Sequence, residues 1–372
     1  MILNMKKFFQ FIILICISIL SLTTLSHYKN AENFTAAKSE TIIIFIHGTI
    51  LPRPSIKSFE KAAKNETSSS FYQKYIDELR LNSDYINQPI GDKGLHKIDL
   101  NDKNSKYQTS NKILKKFLES YQQENDNQNV VTLYTFGWDG RLDKTNRENS
   151  GNQLYEELTK ELEAKKKENI KVEQTEIIAH SHGGNVALYL AKAEDKEHKN
   201  LQIDKLIMFG TPIQKETKNF ANHPVFKKVY NFYSKGDMVQ ISDLISTNAM
   251  KSERKIFIAN SFPKIINVRL IVGKQNPLHT ELWFNEIFFL YRKDFLLSPY
   301  PVAIFTPALT KMIDTVTIDK TYEKENLLIR FSKAKENSDL KIMLQTKHKK
   351  NQKLVSIKDV PNYFATKLLA QN

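Results

Sequence analysis

The sequence has a single cysteine among 372 residues, Cys16, and it lies within an apolar N-terminal run. Disulfides within the chain and cysteine-based metal sites are therefore both excluded. The zinc motif H-E-x-x-H is also missing, and no second H-x-H accompanies His180 and His182. We therefore expect no metal and no other cofactor, and we expect packing to stabilise the fold.

The chain also lacks the aromatic-interleaved basic motifs of RNA-recognition proteins, although its formal net charge is +14. The lysines are scattered through stretches such as KKKENIK and TKHKKNQK, which are typical of a solvated surface. We therefore expect no nucleic-acid partner, while an anionic membrane surface stays compatible with the charge. The sequence carries no information on the oligomeric state.

The first 28 residues predict export. Lys6 and Lys7 precede a charge-free apolar run from Phe8 to Leu25, which is the order of segments in a signal sequence. The run is long enough to cross a bilayer core of about 30 Å. No strong small-x-small cleavage site follows, which favours an anchor slightly over a cleaved signal peptide. We expect a protein anchored by residues 8–25, or one that is secreted or periplasmic after cleavage.

Apolar runs that alternate with helical patterns predict an α/β fold with a mostly parallel central sheet covered by helices. Helical patterns occupy residues 152–167, 185–193 and 281–295. Six runs predict buried strands: Glu40–Thr49, Asn129–Trp138, Thr175–Ser181, Ile203–Pro212, Lys228–Asp237 and Ile266–Gln275.

The same patterns divide the chain into regions. The core domain is predicted over residues 40–297, interrupted by an insertion over 51–128 that contains helix-like pieces and serves either as a lid or as scaffolding. Residues 298–372 form a C-terminal extension of unknown role. Its runs TVTI, NLLIRF, LKIML and KLVSI predict short strands of a small antiparallel unit.

The segment AHSHG, residues 179–183, carries the strongest chemical signal. A predicted buried strand meets a predicted helix at one tight turn, and the turn carries Ser181. A serine hydroxyl is a poor nucleophile, so an enzyme must expose it and supply a base, and such a turn projects the hydroxyl at the carboxyl edge of the sheet. The turn requires small residues two positions before and two after the serine, and Ala179 and Gly183 meet that requirement.

This segment resembles the nucleophile elbow of α/β-hydrolases, in the alanine-first form of some lipases and esterases. The resemblance covers roughly residues 41–295, and it implies an α/β-hydrolase fold. IFIHGT resembles the His-Gly loop of the same family. It implies an oxyanion hole formed by the backbone N–H groups of Thr49 and His182, with His47 and Gly48 supporting the loop.

The family order is nucleophile, acid and then histidine, and it points to Asp237 as the acid. Asp237 follows a glycine directly after a predicted strand and resembles the family's G-D-x-V acid loop. Asp204 lies at the start of a strand, on the wrong edge, and Asp243 comes several residues late.

The base is expected after the last predicted strand, and His279 lies in a loop between that strand and a helical pattern. His198 sits in a polar stretch, His223 precedes the acid, and His348 lies in a lysine-rich tail. We therefore interpret His279 as the base.

These residues predict a serine hydrolase that cleaves carboxylic esters through a Ser181–Asp237–His279 triad and an acyl-enzyme, with a lipid or other acyl ester as substrate. A thioesterase, an acyltransferase or a peptidase can use the same triad. A hydrolase-fold binding module at the membrane, without catalysis, is the alternative from another class.

Overall fold

The computed structural model describes residues 39–49, 88–102, 108–125, 129–241, 252–258, 265–284, 301–317, 327–333, 340–345 and 353–356. The predicted N-terminal segment, residues 1–28, and residues 51–87, 103–107 and 126–128 of the insertion lie outside them. Among the described residues, no helix combines the length and the apolar character needed to cross a membrane.

The described strands form one ten-stranded sheet in the order β10-β9-β8-β7-β6-β5-β4-β1-β3-β2. The strands are β1 Ser39–Ile46, β2 Gly94–Lys97, β3 Val130–Gly137, β4 Lys171–His180, β5 Lys205–Phe209, β6 Val229–Tyr233, β7 Ile265–Val272, β8 Leu327–Lys333, β9 Leu340–Gln345 and β10 Lys353–Ser356. The α-helices are α1 Gln108–Glu124, α2 Lys144–Lys167, α3 His182–Leu188, α4 Leu190–Glu197 and α5 Thr306–Thr317, and short 3-10 turns cover Phe220–Asn222, Thr280–Leu282 and Val302–Phe305.

From β3 to β8 all neighbouring strands are parallel, while β2, β9 and β10 are antiparallel to their neighbours. The six strands predicted from apolar runs are all present. The mostly parallel sheet with flanking helices confirms the predicted fold class.

Strand β1 shows why the sheet is buried on both faces. Ile42, Ile44 and Ile46 pack on one face with apolar side chains of α2, α3 and α4, whereas Ile43 and Phe45 pack on the other with those of α1 and α5. All five side chains are fully buried. Since side chains alternate between the faces of a strand, a continuous apolar run is what two covering layers require.

Helix α1 belongs to the core, although it lies within the predicted insertion. The Phe117 ring meets the Phe45 ring edge to face at a centroid distance of 5.2 Å. At the end of the helix, Lys311 of α5 donates to the carbonyl of Glu124 at 2.6 Å. A lid within the insertion would therefore have to be formed by residues 51–87. These lie outside the described residues, so the lid stays a prediction.

The C-terminal strands continue the central sheet. Strand β8 pairs in parallel with β7, and β9 and β10 then extend the sheet in antiparallel orientation.

The strand predicted at TVTI, residues 315–318, is wrong, because residues 315–317 lie in α5. There the Thr310 and Thr315 hydroxyls donate to carbonyls four residues earlier, and Leu309 and Ile313 are fully buried. Packing of that apolar face overrides the β-branched preference.

Candidate active site

Four parallel strands end at one edge of the sheet, and the predicted site residues follow them. His47, Gly48 and Thr49 follow β1, Ser181 follows β4, Asp237 comes shortly after β6, and His279 comes after β7. In open α/β sheets, ligands bind at this carboxyl edge.

Ser181 is the only residue between β4 and α3, and its backbone is strained. Its φ of 50° and ψ of −132° are rarely adopted by residues other than glycine. The N–H of Ser181 donates to the carbonyl of Phe209 at the end of β5, at 2.9 Å, which holds the turn in place. Strain of this kind costs about 1–3 kcal/mol and persists only where surrounding contacts impose it.

Two glycines let the loop after β1 approach this turn. A Cβ at Gly48 would lie 2.7 Å from Cβ of Ser181. A Cβ at Gly183 would lie 2.4 Å from the carbonyl oxygen of His47 and 2.8 Å from that of Ile46. The predicted need for a small residue at position 183 therefore has a definite cause, the β1 backbone.

Replacement of Gly183 by alanine is expected to lower the free energy of unfolding by about 1–3 kcal/mol, because backbone atoms must move to admit the methyl group. Thermal unfolding of the purified variant measures the effect. Lys160→Ala, on an exposed position of α2, is the control and should melt like wild type. An unchanged melting temperature for Gly183→Ala would contradict the close approach of the two loops.

The structure brings Ser181, His279 and Asp237 into one hydrogen-bonded chain. His279 Nε2 lies 2.8 Å from Ser181 Oγ, and His279 Nδ1 lies 2.8 Å from Asp237 Oδ2. Asp237 is fully buried and Ser181 is 3% exposed. A carboxylate can only accept a hydrogen bond, so Nδ1 of the neutral imidazole carries the proton. Nε2 therefore has a lone pair that can accept the serine proton. This arrangement can generate a nucleophilic oxygen.

Asp237 is held by contacts that the sequence did not reveal. Its Oδ1 accepts the N–H of Gln240 at 3.1 Å, and its carbonyl accepts from Arg254 Nη2 at 2.8 Å. Gly210, with φ of 63°, lies beneath the pair, since a Cβ there would be 3.0 Å from Asp237 Oδ2 and 3.3 Å from His279 Nδ1. This explains why a glycine directly follows β5.

His180 supports His279 from behind, a role that sequence reasoning missed. Its Nε2–H donates to the carbonyl of His279 at 3.1 Å, and its ring stacks on Trp283 at a centroid distance of 5.3 Å. Burial lowers the pKa of His180 well below its usual range, and the charge of His279 lowers it further. His180 therefore stays neutral. The signal that could have revealed this is a histidine at the buried end of a strand.

His47 fixes the loop after β1. Its Nδ1–H donates to the carbonyl of Gly48 at 2.7 Å, and its Nε2 accepts the backbone N–H of Trp138 at 3.3 Å. Burial lowers the pKa of His47 to about 4, so this ring is neutral at physiological pH. Because a peptide unit is planar and trans, fixing the Gly48 carbonyl also fixes the direction of the Thr49 N–H. His182, the other predicted oxyanion residue, is buried at the first position of α3.

The residues rejected as acid or base lie elsewhere. Asp204 is at the opposite edge of the sheet, paired with Lys227 at 2.6 Å. His198 ends α4 in a left-handed conformation, and His223 pairs with Asp195 at 2.9 Å. Asp243 and His348 lie outside the described residues.

The sheet and its helices define a protein of the α/β-hydrolase type. The model of the lecithin:cholesterol acyltransferase family matches residues 90–365, more than half of the chain, and the chain belongs to that family. Membership places it among enzymes that transfer or hydrolyse lipid acyl groups. The matched residues include most of the predicted C-terminal extension.

Comparison with solved structures finds a similar Listeria innocua gene product, with a TM-score of 0.26 and 12% identity over 55% of this chain and 72% of that chain. No curated protein matches the sequence.

Proposed function

We propose that the protein is a serine esterase that cleaves the carboxylic ester bond of a lipid through an acyl-enzyme on Ser181. The observation that carries the proposal is the chain of two 2.8 Å contacts from Ser181 through His279 to Asp237. Membership of the lecithin:cholesterol acyltransferase family supports a lipid substrate.

In the proposed mechanism, Ser181 Oγ forms a bond to the acyl carbon while His279 Nε2 takes its proton. Asp237 holds the imidazole tautomer and stabilises its protonated form. The N–H groups of Thr49 and His182 donate to the oxyanion, and the ester C–O bond then breaks as His279 returns the proton to the leaving alcohol. Water then attacks the acyl carbon while His279 takes its proton, the bond from Ser181 Oγ to the acyl carbon breaks, and His279 returns the proton to Ser181 Oγ.

Labelling with a fluorophosphonate probe tests this proposal, because the probe reacts only with an activated serine. The wild-type protein should be labelled, Ser181→Ala should not, and Ser39→Ala should be labelled like wild type. Ser39 begins β1, at the opposite edge of the sheet. An unreactive wild type would refute the esterase and favour a binding module, whereas equal labelling of Ser181→Ala would refute Ser181 as the nucleophile.

Acyl transfer to an alcohol is the second candidate, favoured by the name of the matched family. The acyl-enzyme is common to both reactions, and the acceptor decides the product. A lipid ester with a labelled acyl chain should therefore be incubated with and without a sterol. Free fatty acid in both samples supports hydrolysis, whereas sterol ester at the expense of fatty acid supports transfer.

The Thr49 hydroxyl provides a more detailed test of the oxyanion hole. Its Oγ1 is buried and has no hydrogen-bond partner within the described part of the chain. If it donates to the oxyanion, Thr49→Val should lower kcat by about 10²-fold, the usual loss for one such donor. Thr49→Ser retains the hydroxyl and should keep most of the activity. Steady-state hydrolysis of a soluble ester measures both variants, and a valine variant with wild-type kcat would exclude the hydroxyl as a donor.

We also propose that the chain is exported, with residues 8–25 either retained as an anchor or removed. The positive residues before this apolar run support the proposal. Mass measurement of the mature protein from its native membrane and soluble fractions distinguishes the two forms.

A further inference from the structure

Exposed apolar side chains lie beside the candidate active site. Among the described residues, the exposed large apolar side chains are those of Val130, Met238, Val239, Phe257 and Leu278, at 59, 58, 46, 71 and 55%. Met238 and Val239 directly follow Asp237, and Leu278 directly precedes His279. Val130, at the start of β3, belongs to the opposite edge of the sheet. Phe257 is also distant from the site, because its neighbour Ile256 donates to Asn267 Oδ1 near the start of β7.

Contacts join the segments that carry these side chains. A Cβ at Gly236 would lie 2.4 Å from the carbonyl oxygen of Asn276, so the loops of Asp237 and His279 touch. Arg254 donates to the carbonyls of Asp237 and Lys235, which brings the neighbouring Lys255 to the same edge. Met238, Val239 and Leu278 therefore line one region at the carboxyl edge, which we call the apolar rim.

The same segments carry positive charge. Lys235, Lys255 and Lys274 are exposed. Lys255 Nζ lies 5.6 Å from the centre of the Tyr233 ring, at the end of β6 and two residues before Lys235. Burial and the charge of Lys235 both lower the pKa of Lys255. Of the acidic residues on these segments, Asp237 and Glu281 are buried and Glu253 is exposed. Among the described residues of these segments, exposed lysines therefore outnumber exposed carboxylates.

We infer that the apolar rim and its lysines dock on an anionic phospholipid surface and present an ester bond to Ser181. This inference rests on the proposed esterase function. Apolar side chains that insert below the headgroups and lysines that meet anionic headgroups are complementary to such a surface. A surface without net negative charge offers the lysines no anionic headgroups.

The test compares the full chain and its variants on one fluorogenic ester lipid in two kinds of vesicle, phosphatidylcholine alone and phosphatidylcholine mixed with phosphatidylglycerol. A water-soluble short ester measures the catalytic centre, and each vesicle rate is divided by the soluble-ester rate. The rim variant is Met238→Ser with Leu278→Ser, and the charge variant is Lys235→Gln with Lys255→Gln. Val130→Ser and Lys171→Gln are controls, since both residues begin strands at the opposite edge. All variants share the same N-terminal segment, so its membrane affinity cancels.

For the rim variant, the vesicle-to-soluble ratio should fall by about tenfold or more on both vesicles, because two apolar side chains no longer leave water. For the charge variant, the ratio should fall by about fivefold per lysine on phosphatidylglycerol vesicles. It should not change on phosphatidylcholine alone. The controls should match wild type on both.

Two failures are distinguishable. If wild type hydrolyses the soluble ester but the rim and charge variants keep wild-type ratios on both vesicles, the docking surface is refuted and the esterase stands. A rim covered by another part of the chain would give that result. If wild type neither hydrolyses the soluble ester nor reacts with the fluorophosphonate, the proposed function itself fails.

Discussion

Replacement of Ser181 by alanine is expected to lower kcat for ester hydrolysis by about 10⁶-fold, the loss found when a triad nucleophile is removed. The expectation follows from the position of Ser181 Oγ, 2.8 Å from His279 Nε2 at a strained turn. Residual turnover would come from substrate binding and the oxyanion donors alone. Hydrolysis of a soluble ester at saturating concentration measures the effect.

The matched control is the double variant. If Ser181 and His279 act as one unit, Ser181→Ala with His279→Ala should be no slower than Ser181→Ala alone. Additive losses in the double variant, or a kcat of Ser181→Ala equal to that of wild type, would contradict the proposed mechanism.

Ser181→Gly should abolish activity but raise the melting temperature, because glycine adopts a φ of 50° without strain. That combination separates loss of chemistry from loss of fold.

The sequence could predict the site because the carboxyl ends of parallel strands meet at one edge. Ser181, Asp237 and His279 each follow a strand that a continuous apolar run predicts, so their convergence needs only the fold class. Their catalytic roles stay predictions until the variants are measured. The glycine at position 183 was also predictable, since the tight turn demands a small side chain there.

The supporting contacts could not be predicted because they depend on distances between loops. His180 lies behind His279 across almost a hundred residues of chain, and Arg254 reaches the carbonyl of Asp237 from a separate segment. A histidine at the buried end of a strand indicates a structural role for His180, but nothing in the local pattern of either residue indicates its partner. Gly210 is required by the Asp237–His279 pair packed above it, which its own local pattern does not indicate.

The edges of the sheet were harder to predict than its centre. Strand β2 is four residues long, and only Gly94 of these is buried, so it carries no apolar run. The predicted helix over 185–193 is divided at Tyr189 between α3 and α4. The C-terminal strands were identified, but their parallel attachment to β7 is a long-range pairing that short apolar runs do not specify.

Replacement of Asp237 by asparagine is expected to lower kcat by about 10⁴-fold while leaving the fold intact. The asparagine amide can donate to Nδ1 of His279, which would place the imidazole proton on Nε2 and stop that atom from accepting the serine proton. The loop itself should stay in place, because Arg254 holds the main-chain carbonyl of residue 237 and the Gln240 N–H can still bond to the Asn side-chain oxygen.

Soluble-ester kinetics and the rate of fluorophosphonate labelling should fall together in Asp237→Asn, with an unchanged melting temperature. Asp204→Asn removes a carboxylate paired with Lys227 at the other edge of the sheet, and its kcat should equal that of wild type. If Asp237→Asn kept wild-type kcat, Asp237 would not set the tautomer of His279. If the variant lost activity only because it unfolded, the Asp237 carboxylate would have a structural role. A large loss of kcat in a folded variant is therefore the result that assigns the triad its acid.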